Sequence, residues 1–551
     1  MVTVFICSCQ EKNQTDKAEI VLWEPYNDSA EVAVNADHEK ERMRYKRIQS
    51  PVLDKNDVFR PLYTEVSKMP EEQYKSLKPL ILEQNMLTLR KHLEEGKLNY
   101  ENLVLFYLYR IYKYELNNTT TLNTIIALNE NVVDQAQKLD EMVAKGTAPE
   151  VRHPIYGMPI LLKDNINTSG MKTTAGAIAL ISNEVEDAFI VKKLKENGAL
   201  ILGKVNLSEW ANFLCDCPNG QSAVGGQTLN PYGRRVFDTG GSSAGSGTSM
   251  AANYAVAAVG TETSGSILSP SGQNSVVGLK PTIGLLSRTG IVPISSTLDT
   301  PGPMTRNVVD NAILLDAMTG KDTLDSKSIE EHFPGIISAG LHPTPFENLR
   351  LGAMKSLLES DSVYKANIEK MRSLGAEIIE FTPPEVKMDG FLSILNIDMR
   401  NDLPEYIRTQ VKDKNAVKIS SVADAVAFNL EDSLLRIPYG QVRFDGILAD
   451  STSAEGLEKI KSTLEKNGRA FFNTVMDDHN LDAVLSINNY HAGYAAVAKY
   501  PVLTVPMGYK ESGEPISLTF VGKQFSEAEL LRMGAAFEKA TKARVMPKDY
   551  D

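Results

Sequence analysis

Two short segments of the chain concentrate serine, threonine and glycine residues whose hydroxyl groups suit nucleophilic chemistry. The first, DTGGSSAGSGTS, spans residues 238–249, and the second, GTETSGSILSPSGQ, spans residues 260–273. A serine attacks a carbonyl carbon efficiently only when a base takes its proton, and neither segment contains a histidine or a cysteine. The two segments therefore indicate either structural turns or a serine nucleophile served by an unusual base.

One interpretation of the first segment is a nucleophile elbow. Residues 241–245, GSSAG, match the G-x-S-x-G pattern and would make Ser243 the nucleophile of a histidine-dependent serine hydrolase. An elbow follows a hydrophobic strand, whereas NPYGRRVFDTG, residues 230–240, is polar and rich in turn formers. The histidine would be one of four: His332, His342, His479 and His491. A phosphate-binding loop is rejected, because Ser246 stands where that motif requires lysine.

A lysine offers the other base. Lys163 lies at the end of GMPILLKD, residues 157–164, a pattern typical of a short buried strand that runs into a turn. Burial can lower the pKa of a lysine from about 10.4 toward neutrality, and Ser-Lys variants of the catalytic triad exist on unrelated folds. Two hydroxyl-rich segments together with this lysine favour hydroxyl–lysine catalysis over purely structural turns.

The chain resembles the amidase signature family over about residues 80–545. The family's Gly/Ser-rich block and the sequence after it correspond to residues 240–284, GGSSAGSGTSMAANYAVAAVGTETSGSILSPSGQNSVVGLKPTIG. Its lysine segment corresponds to GMPILLKDNINTSGMKTTAG, residues 157–176. DTPGPMTRNVVDNAILLDAMTG at 299–320 and YPVLTVPMG at 500–508 match later landmarks in the same order.

By position, the resemblance implies a catalytic role for three residues. Lys163 would be the base, Ser242 the bridging serine that follows a cis peptide bond, and Ser266 the nucleophile. The oxyanion hole is implied at three consecutive residues: Thr263, Ser264 and Gly265. Within this block, Glu262 replaces the usual Asp, Ser264 replaces the first Gly of a Gly-Gly-Ser triplet, and Leu268 replaces a frequent Arg. These departures leave the three catalytic residues intact and bear on substrate preference.

The resemblance implies an amidase that hydrolyses a carboxamide through an acyl-enzyme, with no metal and no cofactor. The substrate would be a small-molecule or peptide amide, and the motifs look closer to peptide amidases than to the tRNA-amidotransferase subunit. Two alternatives remain within the family: a fatty-acid amide hydrolase, which shares the hydrophobic N-terminal helices, and the glutaminase subunit of a tRNA-dependent amidotransferase. Trp210 and Phe213, in NLSEWANFLCD at 206–216, are candidates for the acyl pocket, although both are equally suited to an ordinary core.

The elements that would position these residues alternate between helix and strand after residue 157. Helical spacing marks 80–96, 100–115 and 122–146, and small residues favour a buried helix at 247–260. Buried strands are predicted at 157–164, 199–206 and 500–509, and helices at 188–198 and 526–543. This alternation indicates an α/β layered fold. The resemblance implies one large α/β/α domain with a mixed central sheet over 76–551, an N-terminal helical extension and a less regular, variable insert around 380–480.

Composition excludes some functions and leaves the location open. With 58 Lys and Arg against 70 Asp and Glu, the net charge of −12 argues against binding nucleic acid through its phosphates. The four cysteines, Cys7, Cys9, Cys215 and Cys217, show neither a disulfide framework nor zinc spacing. MVTVFICSCQEKNQ resembles the end of a lipoprotein signal, without its basic start, in which Cys9 would be lipidated. In that case residues 1–75 would form a tether and an irregular wrap, and the protein would be an enzyme of the cell envelope. If the N-terminus is instead an ordinary one, a cytoplasmic enzyme is expected.

Overall fold

A computed structural model describes residues 20–329 and 341–551 of the chain. Cys9 and the lipoprotein-like segment lie outside the described residues. The strands are β1 (Ile125–Leu128), β2 (Pro159–Lys163), β3 (Leu200–Val205), β4 (Gln221–Ser222), β5 (Gly226–Gln227), β6 (Ala257–Glu262), β7 (Val277–Lys280), β8 (Thr300–Thr305), β9 (Arg350–Met354), β10 (Glu377–Phe381), β11 (Ala483–Ile487), β12 (Val502–Tyr509) and β13 (Pro515–Val521).

The α-helices are α1 (Ser29–Val34), α2 (Lys55–Phe59), α3 (Tyr63–Val66), α4 (Glu71–Ile81), α5 (Met86–Glu94), α6 (Tyr100–Glu115), α7 (Val132–Ala144), α8 (Phe189–Glu196), α9 (Glu209–Asn212), α10 (Ala244–Ala251), α11 (Leu268–Gln273), α12 (Val308–Met318), α13 (Lys355–Ser360), α14 (Ser362–Ser373), α15 (Phe391–Gln410), α16 (Val422–Glu431), α17 (Ser433–Arg436), α18 (Val442–Ala449), α19 (Ala454–His479), α20 (Ala492–Ala498) and α21 (Glu527–Thr541). Within the described ranges, no helix combines the length and the apolar character needed to cross a membrane.

Eleven strands form one mixed sheet in the order β1-β3-β2-β6-β8-β7-β12-β13-β11-β9-β10, and β4 and β5 form a separate hairpin. The strand β2 runs parallel to both β3 and β6, whereas β6 pairs antiparallel with β8. Helices flank the sheet, with α12 in contact with both α8 and α21, and with α10 packed on β6. The predicted α/β fold with a mixed central sheet is confirmed.

The register of β2 on β6 brings the lysine and the second hydroxyl segment together. Leu162 pairs with Val259, so the carboxyl ends of the two parallel strands lie side by side. Every residue of β2 and β6 is buried, which explains why both read as unbroken apolar runs up to their last residues. The polar residues at those ends, Lys163 and Thr261, therefore meet inside the protein.

Three predicted helices differ from the observed elements. The segment 80–96 is divided between α4 and α5, because the chain turns at Glu83, whose φ is 57°, and Asn85 caps α5. The segment 122–146 begins as β1, where β-branched Ile125 and Ile126 fit a pleated strand. The segment 247–260 ends its helix at Ala251 and continues as β6 after a left-handed turn at Asn253. In each case a local turn interrupts a pattern that spacing alone reads as one helix.

The region expected to be a less regular insert is mostly helical. Helices α15, α16, α18 and α19 occupy much of 391–479 and surround a second hydrophobic cluster that includes Phe444 and Leu464. The cysteine pair lies in the same cluster: Cys215 and Cys217 form a disulfide, with Cα atoms 5.1 Å apart, although the sequence predicts none.

The described part of the N-terminal segment is a wrap and not a free tether. Met43, Ile48, Phe59 and Leu62 are each no more than 2% exposed and belong to the main hydrophobic core. The backbone carbonyl of Ile48 also accepts a hydrogen bond from the N–H of Gln227. Scattered apolar residues therefore anchor residues 43–62, although their spacing follows neither a helical nor a strand period.

Candidate active site

Lys163 is buried at the end of β2 and forms a tight set of hydrogen bonds. Its Nζ lies 2.7 Å from Ser242 Oγ, 2.8 Å from Thr261 Oγ1 and 3.1 Å from the carbonyl oxygen of Thr261. The residue is 0% exposed. The parallel pairing of β2 with β6 produces this contact, because it places Thr261 beside the end of the lysine strand.

Burial lowers the pKa of Lys163 to about 7, and the charges of Asp299 and Glu262 act in the opposite direction. The ammonium form loses its hydration in the protein interior, which is the general reason why a buried lysine becomes less basic. At neutral pH a large fraction of Lys163 is therefore the free amine. A free amine held 2.7 Å from a hydroxyl oxygen is able to take that hydroxyl's proton.

Ser242 follows a cis peptide bond, Gly241–Ser242, as the resemblance implies. The residue is fully buried, and its backbone carbonyl accepts a hydrogen bond of 3.0 Å from the N–H of Ser208. Its Oγ is the partner of Lys163 described above. The serine side chain is thus held against the lysine from both its backbone and its hydroxyl.

Ser266 lies on the turn between β6 and α11, beside the first hydroxyl segment. Its carbonyl oxygen accepts a 3.1 Å hydrogen bond from the N–H of Ser243, which ties the two segments together. Ser266 is 8% exposed, whereas Ser242 and Ser243 are 0% exposed. Of these three serines, Ser266 is therefore the one that a substrate is able to reach.

The structure does not support Ser243 as a nucleophile. Its Oγ donates to the carbonyl oxygen of Thr261 at 3.0 Å and lies 3.2 Å from the N–H of the same residue. The hydroxyl is thus engaged as donor and acceptor in holding α10 against β6. Among the described histidines that were candidates for the base of Ser243, His491 is instead hydrogen-bonded to Ser486, with 2.6 Å between His491 Nδ1 and Ser486 Oγ.

The turn before Ser266 presents free backbone donors. The N–H groups of Ser264, Gly265 and Ser266 donate to no protein acceptor in the described ranges. Gly265 has a φ of 89°, and a Cβ at this position would lie 3.0 Å from Asn489 Nδ2, so glycine suits both the conformation and the space. Such donors beside a serine match the chemistry of an oxyanion hole.

Two carboxylates hold this turn in place. Glu262 Oε2 accepts hydrogen bonds from the N–H groups of Ile267 and Leu268, at 2.7 and 3.0 Å. Asp299 Oδ1 accepts the hydroxyl of Thr263 at 2.5 Å. The Glu that replaces the family's usual Asp therefore still anchors the residues that follow Ser266.

A cavity of about 540 Å³ adjoins the site, and Asn165, Thr261 and Thr263 form the part of its wall beside Lys163. Its wall includes Ala211 and neither ring of Trp210 or Phe213. Both aromatic residues are buried in the second hydrophobic cluster, where Trp210 packs on Phe444 with ring centroids 5.4 Å apart. The structure thus places them as core residues.

Sequence reasoning missed several polar residues at the cavity and the turn. They are Asn165, Asp299, Asp402, Glu405 and Asn489. Asn165 follows Lys163 by two positions and so comes just after the carboxyl end of a buried strand. Ligands bind at such strand ends, and this position could have marked Asn165 as a site residue. Asp299 begins the landmark segment 299–320, whereas Asp402, Glu405 and Asn489 come from distant parts of the chain and carry no local motif.

Comparison with known proteins identifies the family. The model of the Amidase family matches residues 102–486, more than half of the chain. A probable amidase of Arabidopsis thaliana is 37% identical over 488 residues, covering 85% of this chain and 92% of the plant protein. A putative amidase of Schizosaccharomyces pombe is 30% identical over 542 residues, covering 89% of this chain and 90% of the yeast protein. A glutamyl-tRNA(Gln) amidotransferase subunit of Caldanaerobacter subterraneus is 31% identical, covering 84% of this chain and 97% of that protein.

Solved structures agree with this result. An amidase family protein from Bacillus anthracis is 36% identical with a TM-score of 0.85, covering 92% of this chain and all of its own. The peptide amidase from Stenotrophomonas maltophilia is 34% identical with a TM-score of 0.78, covering 85% of this chain and 98% of its own. Family model, relatives and structures all point to the same chemistry: the chain belongs to the amidase family and is an amide-hydrolysing enzyme.

Proposed function

We propose that the chain hydrolyses a carboxamide C–N bond with Ser266 as nucleophile, Ser242 as proton bridge and Lys163 as base. The observation that carries this proposal is the buried Lys163, with a pKa of about 7, in contact with Ser242 Oγ at 2.7 Å. A buried lysine without a carboxylate in contact is costly to maintain unless its neutral form is used. The accessible Ser266 on the neighbouring turn supplies the hydroxyl that such a base serves.

In the first half of the reaction, neutral Lys163 draws a proton from Ser242, and Ser242 takes the proton of Ser266. The Ser266 oxygen then bonds to the carbonyl carbon, and the carbonyl oxygen becomes an oxyanion. The unpaired N–H groups of the turn at 264–266 suit this oxyanion, and each such donor contributes about 3 kcal/mol to a transition state of this kind. The proton returns through Ser242 to the nitrogen, the C–N bond breaks, and ammonia or an amine leaves.

In the second half, water replaces the departed nitrogen. It attacks the ester formed on Ser266 and passes a proton toward Lys163 through the same bridge. The tetrahedral intermediate collapses, the acid is released and Ser266 regains its proton. The same groups act as base and then as acid in each half, so no cofactor enters the sequence of steps.

Release of ammonia from a panel of amides tests the proposal. The panel contains a C-terminal peptide amide, a fatty amide, an aryl amide and glutamine, each measured with the wild type and with Ser266→Ala. The matched control is Ser269→Ala, which removes a nearby hydroxyl on α11 and leaves the turn at 264–266 intact. We expect loss of turnover in Ser266→Ala and retention in the control. Equal activity of Ser266→Ala and wild type would refute the assignment, and turnover of glutamine alone would favour the amidotransferase-subunit role.

A further inference from the structure

The cavity beside the site carries an excess of negative charge. Four carboxylates line the cavity. Among the described residues of its wall, the basic side chain is that of Arg288. The guanidinium of Arg288 is already neutralised, because it forms a two-point contact with Asp325. The remaining carboxylates on the wall are Asp299, Asp402 and Glu405.

These three carboxylates differ in how many hydrogen bonds and ion pairs they already form with the protein. Asp299 accepts the Thr263 hydroxyl and backbone N–H groups, so it is fully engaged in holding the turn. Asp402 is hydrogen-bonded to Ser296, whose N–H donates to it at 2.6 Å. Glu405 is exposed and pairs with Arg408 on the same helix. Asp402 is thus the partly buried carboxylate with capacity left for a cation.

Asn165 adds an independent sign of a ligand near the nucleophile. It is 2% exposed and lines the same cavity. Its Nδ2 donates to Thr261 Oγ1 at 3.0 Å, whereas its Oδ1 is buried and has no hydrogen-bond partner in the described residues. A buried amide oxygen is costly to leave unpaired, so this oxygen is suited to accept a hydrogen bond from an N–H donor of a bound molecule.

We propose that this cavity is the acyl pocket and that it selects amides whose acyl part carries an N–H close to the scissile carbonyl and an ammonium group further out. Short peptide amides with a free amino terminus have this arrangement. The N–H of the last residue would donate to Asn165 Oδ1, and the terminal ammonium would approach Asp402. The inference rests on the proposed amide hydrolysis and adds a substrate class to it.

The ionisation of Asp402 fits this role. Burial and the nearby charges of Asp398 and Asp299 raise its pKa to about 6. Asp402 is therefore mainly ionised at pH 7, and a cation beside it would relieve the repulsion from its acidic neighbours.

A substrate series tests the charge preference. Gly-Phe-NH₂, acetyl-Gly-Phe-NH₂ and succinyl-Gly-Phe-NH₂ share one carboxamide and differ in terminal charge. We expect kcat/KM at about pH 7, where the terminal amino group is still mainly protonated, to favour the cationic substrate over the acetyl substrate by roughly tenfold, with the succinyl substrate slower still. In Asp402→Asn the preference should fall to about twofold. The matched control is Asp445→Asn, an exposed carboxylate on α18 away from the cavity, in which the preference should stay as in wild type.

The role of Asn165 is tested from the substrate side, because a change of Asn165 would also disturb Thr261. Acetyl-Phe-NH₂ is compared with acetyl-N-methyl-Phe-NH₂. In the second compound the phenylalanine nitrogen carries a methyl group and no longer has an N–H to donate, while the scissile carboxamide is unchanged. We expect a loss of at least about tenfold in kcat/KM, since the amide oxygen is then left unpaired.

Three results would overturn the inference: equal rates for the cationic and acetyl substrates, an equal loss on both in Asp402→Asn, or full activity on acetyl-N-methyl-Phe-NH₂. Calorimetric binding of the same amides to Ser266→Ala separates this inference from the proposed function. The cationic peptide amide should bind with a roughly tenfold lower Kd than the acetyl one even without turnover. Equal Kd values refute the pocket assignment, whereas absence of turnover in the wild type refutes the proposed hydrolysis.

Discussion

Replacing Thr261 by valine tests how the protein sets the pKa of Lys163. The Thr261 hydroxyl oxygen accepts a hydrogen bond from Lys163 Nζ at 2.8 Å, and valine is a close match in shape without that oxygen. Lys163 would keep its contacts with Ser242 Oγ and with the carbonyl of residue 261. An acceptor stabilises the ammonium form, so its removal should lower the pKa of Lys163 further.

The size of the effect follows from the structure. A hydrogen bond to a charged group contributes about 1.5–3 kcal/mol, and one pKa unit corresponds to about 1.4 kcal/mol. The loss of one such bond therefore lowers the pKa by roughly one to two units. In the wild type, burial already lowers this pKa to about 7. A lysine of ordinary pKa would be neutral in only about one molecule in 2500 at pH 7.

The assay is kcat/KM for an amide without titratable groups, measured from about pH 4.5 to 9.5. Because neutral Lys163 is the proposed base, activity should be lost on acidification and should rise with pH to a plateau. The midpoint of the rise should lie near pH 7 in the wild type and lower in Thr261→Val. The control is Thr248→Val, which removes a buried hydroxyl bonded to Thr124 and leaves Lys163 untouched.

A wild-type midpoint above about pH 9 would contradict a lysine made acidic by burial. An unchanged midpoint in Thr261→Val, or the same shift in the control, would show that the titrating group is not Lys163 in this contact.

Further predictions concern the turn and the aromatic residues. Gly265→Ala should lower kcat by at least about tenfold and the free energy of unfolding by about 1–3 kcal/mol, because alanine is strained at a φ of 89° and meets Asn489. Kinetics and thermal unfolding measure this, with Gly440→Ala as control: its φ is 81° with open space around it, so stability should fall while kcat stays. Phe213→Ala should lower the free energy of unfolding by about 3–5 kcal/mol and reduce all substrate rates in proportion. A changed ranking of substrates would instead return Phe213 to the acyl pocket.

The parts of the fold that the sequence predicts well are those with an uninterrupted period and a clear end. The helix predicted at 100–115 is α6, and the strand predicted at 157–164 contains β2. The helix predicted at 247–260 was wrong after Ala251, because alanine and valine pack equally well in a buried helix or a buried strand. Only the left-handed turn at Asn253 decides between them, and that turn depends on tertiary contacts.

The residues of the candidate site also fall into two groups, those that the sequence predicts and those that only the structure reveals. Lys163, Ser242 and Ser266 are recognisable because each belongs to a motif of glycines and hydroxyl residues with a narrow sequence pattern. Asp402 and Asn489 are more than a hundred residues away in the chain and carry no motif, since a side chain on a cavity wall needs only the right position. The pocket therefore required the structure, whereas the three proposed catalytic residues did not.

The residue that carries the acyl group during turnover decides whether Ser266 is the nucleophile. The enzyme is mixed with an amide substrate, stopped with acid during turnover, digested and mapped by mass spectrometry. We predict an acyl ester on the peptide that contains Ser266, no adduct in Ser266→Ala, and slower formation in Lys163→Ala. An acyl group on Ser243, or an adduct that persists in Ser266→Ala, would contradict the proposed mechanism.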